Sequence, residues 1–131
     1  MSANGTSLSI LILDDDIRFL SSFEDLLTQD GHAVYPATRA QEAVEIVRRV
    51  PLDLSFLDFD LQDQNGIEVC VRIQRQRPQL PVVFISGNPS AYLERMVLEN
   101  GGFAFLRKPF GAPEVRGVMR EVICRNNPNG I

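Results

Sequence analysis

Two cysteines, one histidine and one lysine are all that the 131 residues hold of three residue types much used in catalysis and metal binding. Cys70 and Cys124 have neither the close spacing of a zinc-binding pair nor a disulfide framework, so reduced thiols in a cytosolic protein are expected. No apolar run approaches the roughly 18–20 residues needed to span a membrane. The polar start, Met1 to Ser7, lacks the basic-then-apolar profile of a secretion signal. A cytoplasmic protein without a membrane partner is the expectation. Basic charge is short as well: 13 Lys+Arg against 17 Asp+Glu leave −4, which argues against direct nucleic-acid binding. At roughly 150 residues per domain the length supplies one domain, which excludes an eight-unit barrel or a sensor joined to an output module.

What is present suits an ordinary globular core, at 44% hydrophobic and 23% charged residues. Short apolar runs alternate with amphipathic stretches. Leu8–Leu13, Ala33–Tyr35, Leu54–Leu57, Pro81–Ile85 and Phe103–Leu106 read as strands. Between them, Phe19, Leu20, Phe23, Leu26 and Leu27 fall at helical spacing up to the stop at Asp30-Gly31. Thr38 followed by Gln41 has the form of a capping box, with Ala43, Ile46, Val47 and Val50 behind it. Ile67, Cys70, Val71 and Ile73 mark a third helix, and a fourth runs from Ser90 to Asn100-Gly101-Gly102. The last helix opens at Ala112-Pro113 with a stripe of Val115, Val118, Met119, Val122 and Ile123. Five strands in strict alternation with five helices predict a doubly wound α/β domain, a parallel sheet covered on both faces. In such sheets the functional crevice lies outside the carboxyl ends of the strands.

Those ends carry Asp14-Asp15-Asp16, Asp58-Phe-Asp60, Ser86-Gly87 and Arg107-Lys108-Pro109-Phe110. Each residue alone has an ordinary explanation: a solvated loop acid, a turn serine, or in the case of Asp16 a helix N-cap. Their conjunction at matched strand ends has a chemical one. Two or three carboxylates close together repel unless a cation lies between them. Oxygen ligands of this kind suit Mg²⁺. A lysine and a hydroxyl beside such a metal complete a site for a phosphoryl group, with a carboxylate as the nucleophile.

Leu11–Asp16, Leu57–Leu61 with Gly66, Pro81–Gly87 and Lys108–Phe110 resemble, in order and separation, the receiver domains of two-component response regulators. The resemblance covers residues 7–125 and leaves 126–131 as a tail or the start of a linker. It implies the CheY-like, flavodoxin-like fold with strand order 2-1-3-4-5. It further implies that Asp58 accepts a phosphoryl group from a phosphohistidine on a sensor kinase or histidine phosphotransfer protein. Mg²⁺ (or Mn²⁺) would be held by Asp15 and Asp58, by the Asp60 backbone carbonyl, and by Asp14 through water. Ser86 and Lys108 would bind the phosphoryl oxygens, with Lys108 paired to Asp58 at rest. Phe105 would be the aromatic switch coupled to Ser86. Gly66 and Pro109, the latter usually after a cis peptide bond, would shape their loops, and Asp60 and Asn88 would tune the acyl-phosphate lifetime. Gln62 stands where the family usually has proline. The runs Phe84–Gly87 and Phe105–Phe110 look closest to receivers of the FixJ type.

The resemblance implies a signalling switch rather than an enzyme acting on other substrates, one that catalyses only its own phosphorylation and slow loss of phosphate. Its output face would be the fourth helix, fifth strand and fifth helix, where Arg95, Arg107, Arg116 and Arg120 could meet a second copy or a target protein. His32, before the second strand, reads as a surface residue, so phosphorylation would come in trans. A single-domain regulator or phosphorelay intermediate is expected, with a receiver cut from a longer DNA-binding regulator as the alternative. A haloacid-dehalogenase-like phosphatase shares the Asp-x-Asp pair, but there the second acidic pair follows the lysine. Flavodoxin-like cofactor binding is disfavoured by three aspartates where a phosphate cradle would be.

Overall fold

The computed structural model describes residues 7–62, 64–88 and 90–126. Strands β1 (Ser9–Leu13), β2 (Ala33–Ala37), β3 (Leu54–Asp58), β4 (Val82–Ser86) and β5 (Ala104–Arg107) alternate with helices α1 (Ile17–Gln29), α2 (Ala40–Arg49), α3 (Gly66–Gln76), α4 (Ala91–Glu99) and α5 (Ala112–Asn126). The strands form one parallel sheet in the order β2-β1-β3-β4-β5, as the resemblance implied. Among the described residues no helix is long and apolar enough to cross a membrane.

The alternation of side chains along each strand divides the core in two. Leu11, Leu13, Leu57, Val82 and Phe84 face α2, α3 and α4. Ile10, Ile12, Leu54, Phe56, Val83, Ile85 and Leu106 face α1 and α5. The central strands are buried on both faces and therefore read as unbroken apolar runs. β2 is an edge strand, which is why it tolerates Pro36 beside Ile12 of β1.

Helix ends follow the punctuation. Asp16 caps α1, its Oδ1 accepting from the Arg18 and Phe19 N–H groups. Gly31 and Gly101 terminate α1 and α4 with φ of 90° and 98°, the left-handed region open to glycine. Three details differ from the sequence reading. The α2 capping acid is Glu42, not Gln41: its Oε1 accepts from Thr38 N–H and Oγ1 and from Arg39 N–H, which holds its carboxyl below the usual range. Gln41 instead accepts from Arg72 of α3. In α3 the buried valine is Val69, whereas Val71 faces solvent. The predicted tail lies outside the described residues from 127 onward, α5 itself reaching Asn126.

Gly66, the first residue of α3, sits where a Cβ would lie 3.0 Å from the Phe59 Cα and 3.2 Å from the Phe84 ring. Both neighbours are held, one by the main chain and the other by the core. Gly66→Ala should therefore destabilise the domain by about 1–3 kcal/mol through overpacking, seen as a lower urea midpoint. An unchanged midpoint would mean that the loop after β3 gives way freely.

Candidate functional site

Strand register assembles the site. Leu13 of β1 pairs with Leu57 of β3, so the next residues, Asp14 and Asp58, leave the sheet side by side. Asp58 pairs with Ile85, one residue short of Ser86, and Ser86 pairs with Arg107, one short of Lys108. All four groups arrive at one edge of the sheet by chain geometry alone.

Asp14 is 1% exposed and both its oxygens are occupied. Oδ1 accepts from Asp16 N–H at 2.8 Å, and Oδ2 accepts from Lys108 Nζ at 2.7 Å. The lysine ammonium also lies 4.0 Å from the centre of the Phe19 ring, a cation–π contact that fixes its direction. Asp58 is 3% exposed, and its Oδ1 accepts from Asp60 N–H at 3.0 Å. Burial pushes its carboxyl up to about 6; the Asp60 N–H opposes the rise, Asp14 adds to it, Lys108 opposes it and the Asp60 carboxylate adds again. Asp15 is exposed, and its Oδ2 accepts from Gln62 N–H at 3.3 Å, which ties the loop after β1 to the loop after β3.

Oxygens of Asp14, Asp15 and Asp58 lie within 4.8 Å of one another. Three carboxylates and a single ammonium leave the cluster anionic, and burial of Asp58 makes that charge costly. An all-oxygen set of this kind fits a hard divalent cation. Ser86, fully buried, donates its hydroxyl proton to Asp60 Oδ2 at 2.7 Å and accepts from Asn88 N–H at 3.1 Å. The Lys108–Pro109 peptide bond is cis, and Lys108 N–H donates to the Ser86 carbonyl. Phe105, partly buried on β5 opposite Phe84, packs on the α2–α3–α4 side of the core.

A family model described as the response regulator receiver domain matches residues 10–120. The chain belongs to the response regulator receiver family. It is 29% identical over 107 residues to the alginate biosynthesis transcriptional regulatory protein AlgB of Pseudomonas aeruginosa, covering 82% of this chain and 24% of that protein. It is 26% identical over 117 residues to the alkaline phosphatase synthesis transcriptional regulatory protein PhoP of Bacillus subtilis, covering 89% and 49%. The chain thus spans between a quarter and a half of these relatives. Among solved structures, NtrX from Brucella abortus is 28% identical with a TM-score of 0.84, over 89% of this chain and 27% of that one. The non-phosphorylated HemR receiver domain of Leptospira biflexa is 29% identical with a TM-score of 0.80, over 88% and 94%.

In this receiver domain Asp14, Asp15, Asp58, Asp60, Ser86, Asn88 and Lys108 come together while Phe105 stays in the core, and three details differ from the sequence reading. Lys108 pairs with Asp14, not Asp58: the deeper carboxylate of β1 meets the lysine while Phe19 holds the ammonium from α1. Arg116 is not free on the α4–β5–α5 face, because its guanidinium forms a two-pronged pair with Asp30 at the end of α1, at 2.8 and 2.9 Å. That pairing holds the Asp30 carboxyl below its usual range. Arg95, Arg107 and Arg120 remain exposed. His32 is half-buried, and its Nδ1 accepts from Leu8 N–H at 3.0 Å. Burial lowers its pKa against the pull of Asp30, so it serves as a neutral fastener at the start of β1. The roles of Phe19 and of the Asp60 side chain leave no mark in the sequence pattern, since both depend on side-chain direction.

Proposed function

We propose that Asp58 accepts a phosphoryl group from a phosphohistidine on a sensor kinase or histidine phosphotransfer protein, in a reaction that depends on Mg²⁺ or Mn²⁺. The observation that supports this most is the buried Asp58 carboxyl within a three-carboxylate cluster, with Ser86 and Lys108 delivered to the same edge. The Asp15 and Asp58 carboxylates and the Asp60 backbone carbonyl would hold the metal directly, and Asp14 would do so through water. When bound, the cation supplies charge neutralisation for the oxygens of the transferring group.

An ionised Asp58 oxygen attacks phosphorus, the P–N bond breaks, and its electron pair returns to the imidazole. The product is an acyl phosphate. Lys108 Nζ and the Ser86 hydroxyl then donate to phosphoryl oxygens, Phe105 follows Ser86, and Gly66 and Pro109 shape the two loops around them. Asp60 and Asn88, at the mouth of the site, set the access of water to the acyl phosphate and so its lifetime. The output is a changed α4–β5–α5 face, where Tyr92, Arg95 and Leu98 of α4 and Arg120 of α5 are exposed, meeting a target protein or a second copy in the cytoplasm. The chain acts on no other substrate in this reading.

A role as a single-domain regulator or phosphorelay intermediate is one form of this proposal. A receiver within a longer DNA-binding regulator is the other, favoured by the greater length of AlgB, PhoP and NtrX. The mass of the native product separates them. The chemistry is tested by incubating the chain with a small phosphodonor and Mg²⁺ and measuring intact mass. Wild type gains one phosphoryl group, and Asp15→Ala loses at least 90% of the gain at limiting Mg²⁺ and recovers part of it at high Mg²⁺. Equal labelling of both with and without metal would contradict the proposal.

A further inference from the structure

The Ser86 hydroxyl has one proton, and it is already committed. Ser86 is fully buried at the end of β4. Its Oγ donates to Asp60 Oδ2 at 2.7 Å and accepts from Asn88 N–H at 3.1 Å, so its single donor is used. The acceptor is a carboxylate and the bond is short, which places it among the strong, charge-assisted hydrogen bonds. Asp60 also reaches Asp58, through its own N–H to Asp58 Oδ1 at 3.0 Å. One residue therefore touches the acceptor carboxylate with its main chain and the neighbouring hydroxyl with its side chain.

We infer that Asp60 is a positioning residue whose carboxylate latches the Ser86 hydroxyl and must release it before that hydroxyl can serve a group on Asp58. This rests on the reading of Asp58 as phosphoacceptor, but it concerns a step apart from transfer itself. A phosphoryl oxygen on Asp58 needs the same single proton that Asp60 holds. Binding there is thus an exchange of one anionic acceptor for another at Ser86. The exchange is feasible because Asp60 lies at the exposed mouth of the site, where a released carboxylate returns to water, whereas Ser86 is fully buried. Asp60 acts through Ser86, and its influence should vanish when the hydroxyl is gone.

That dependence is the test. Affinity for beryllofluoride, a phosphoryl mimic that sits on a carboxylate, is measured with Mg²⁺ for wild type, Asp60→Ala, Ser86→Ala and the double variant. Removing the carboxylate also removes a negative charge near the mimic, which strengthens binding in either background. The latch adds a further factor only where Ser86 is present. Asp60→Ala should therefore tighten binding about tenfold more in the wild-type background than in Ser86→Ala, the size expected for losing one competing charge-assisted hydrogen bond. Asp60→Asn, which keeps an acceptor oxygen without the charge, should fall between. Equal effects of Asp60→Ala in the two backgrounds would overturn the latch while leaving Asp58 as acceptor untouched. Wild type and Asp58→Asn serve as the separate control: mimic binding that ignores Asp58 would remove the latch together with the reading it rests on.

Discussion

Asp58→Asn should raise the stability of the metal-free domain at pH 7.5 by about 1–3 kcal/mol, although it removes the residue proposed to carry the chemistry. The argument runs through the proton. In the folded chain burial lifts the Asp58 carboxyl from 3.8 to about 6. An acid whose folded pKa lies above its unfolded value contributes its stability in full below the unfolded value, near 3.8, and loses it as pH rises through about 6. A rise of this size corresponds to about 3 kcal/mol between the two protonation states, and the asparagine amide keeps a smaller desolvation cost of its own. The Asn side chain can still accept from Asp60 N–H, so the loop is not disturbed. Urea unfolding without divalent ions should show the variant ahead at pH 7.5 and the gap closing by pH 4.5. Added Mg²⁺ should then stabilise wild type more than the variant. A variant less stable than wild type at pH 7.5 would mean that Asp58 is not held against its charge.

Lys108→Ala should lower phosphorylation by small donors at least a hundredfold, the typical loss when one charged donor to a developing anion is removed. It should also cost about 2–3 kcal/mol of stability, because Asp14 is left buried without its ammonium. The figure is set below that of a fully buried pair because the lysine side chain is 22% exposed. Divalent-metal affinity is the discriminating readout. Taking a cation away from three carboxylates should tighten Mg²⁺ binding, so phosphorylation fails while metal binding improves. Weaker metal binding in a folded variant would show that Lys108 organises the cluster rather than serving the phosphoryl group. Lys108→Arg should not restore activity, since a planar guanidinium cannot reproduce a point charge between Asp14 and the Phe19 ring.

The sequence carried the architecture because most elements, the weaker strand at Ala33–Tyr35 aside, are strongly marked by local pattern. Runs such as Val82–Ile85 permit only a strand buried on both faces, and Gly31 and Gly101 mark stops that other residues fill at a cost. It carried the site's membership for a related reason: residues that follow strands must converge on one sheet edge, so Asp14, Asp58, Ser86 and Lys108 needed no side-chain information to be grouped. Partner choice was out of reach. Whether Lys108 meets Asp14 or Asp58 depends on the Phe19 ring reaching across from α1, and whether the Asp60 carboxylate meets Ser86 depends on one rotamer. The errors in register were of one residue or two. Gln41 and Glu42 both satisfy the spacing of a helix cap, and the run Ile67-Glu-Val-Cys-Val-Arg-Ile73 offers two valines of which a helix can bury only one. Arg116 and His32 looked unpartnered because their partners, Asp30 and the Leu8 N–H, lie far along the chain or on the main chain.

The central claim is that Asp58 is the phosphorylated residue, and the linkage and position of the phosphoryl group test it most directly. The chain is phosphorylated with a small donor and Mg²⁺, part is treated with hydroxylamine, and part is reduced with borohydride and mapped by peptide mass. The account predicts a single acyl phosphate: removed by hydroxylamine, converted by borohydride to homoserine at position 58 alone, and absent from Asp58→Asn. A phosphoryl group that resists hydroxylamine, or one found on Ser86 or His32, would contradict it.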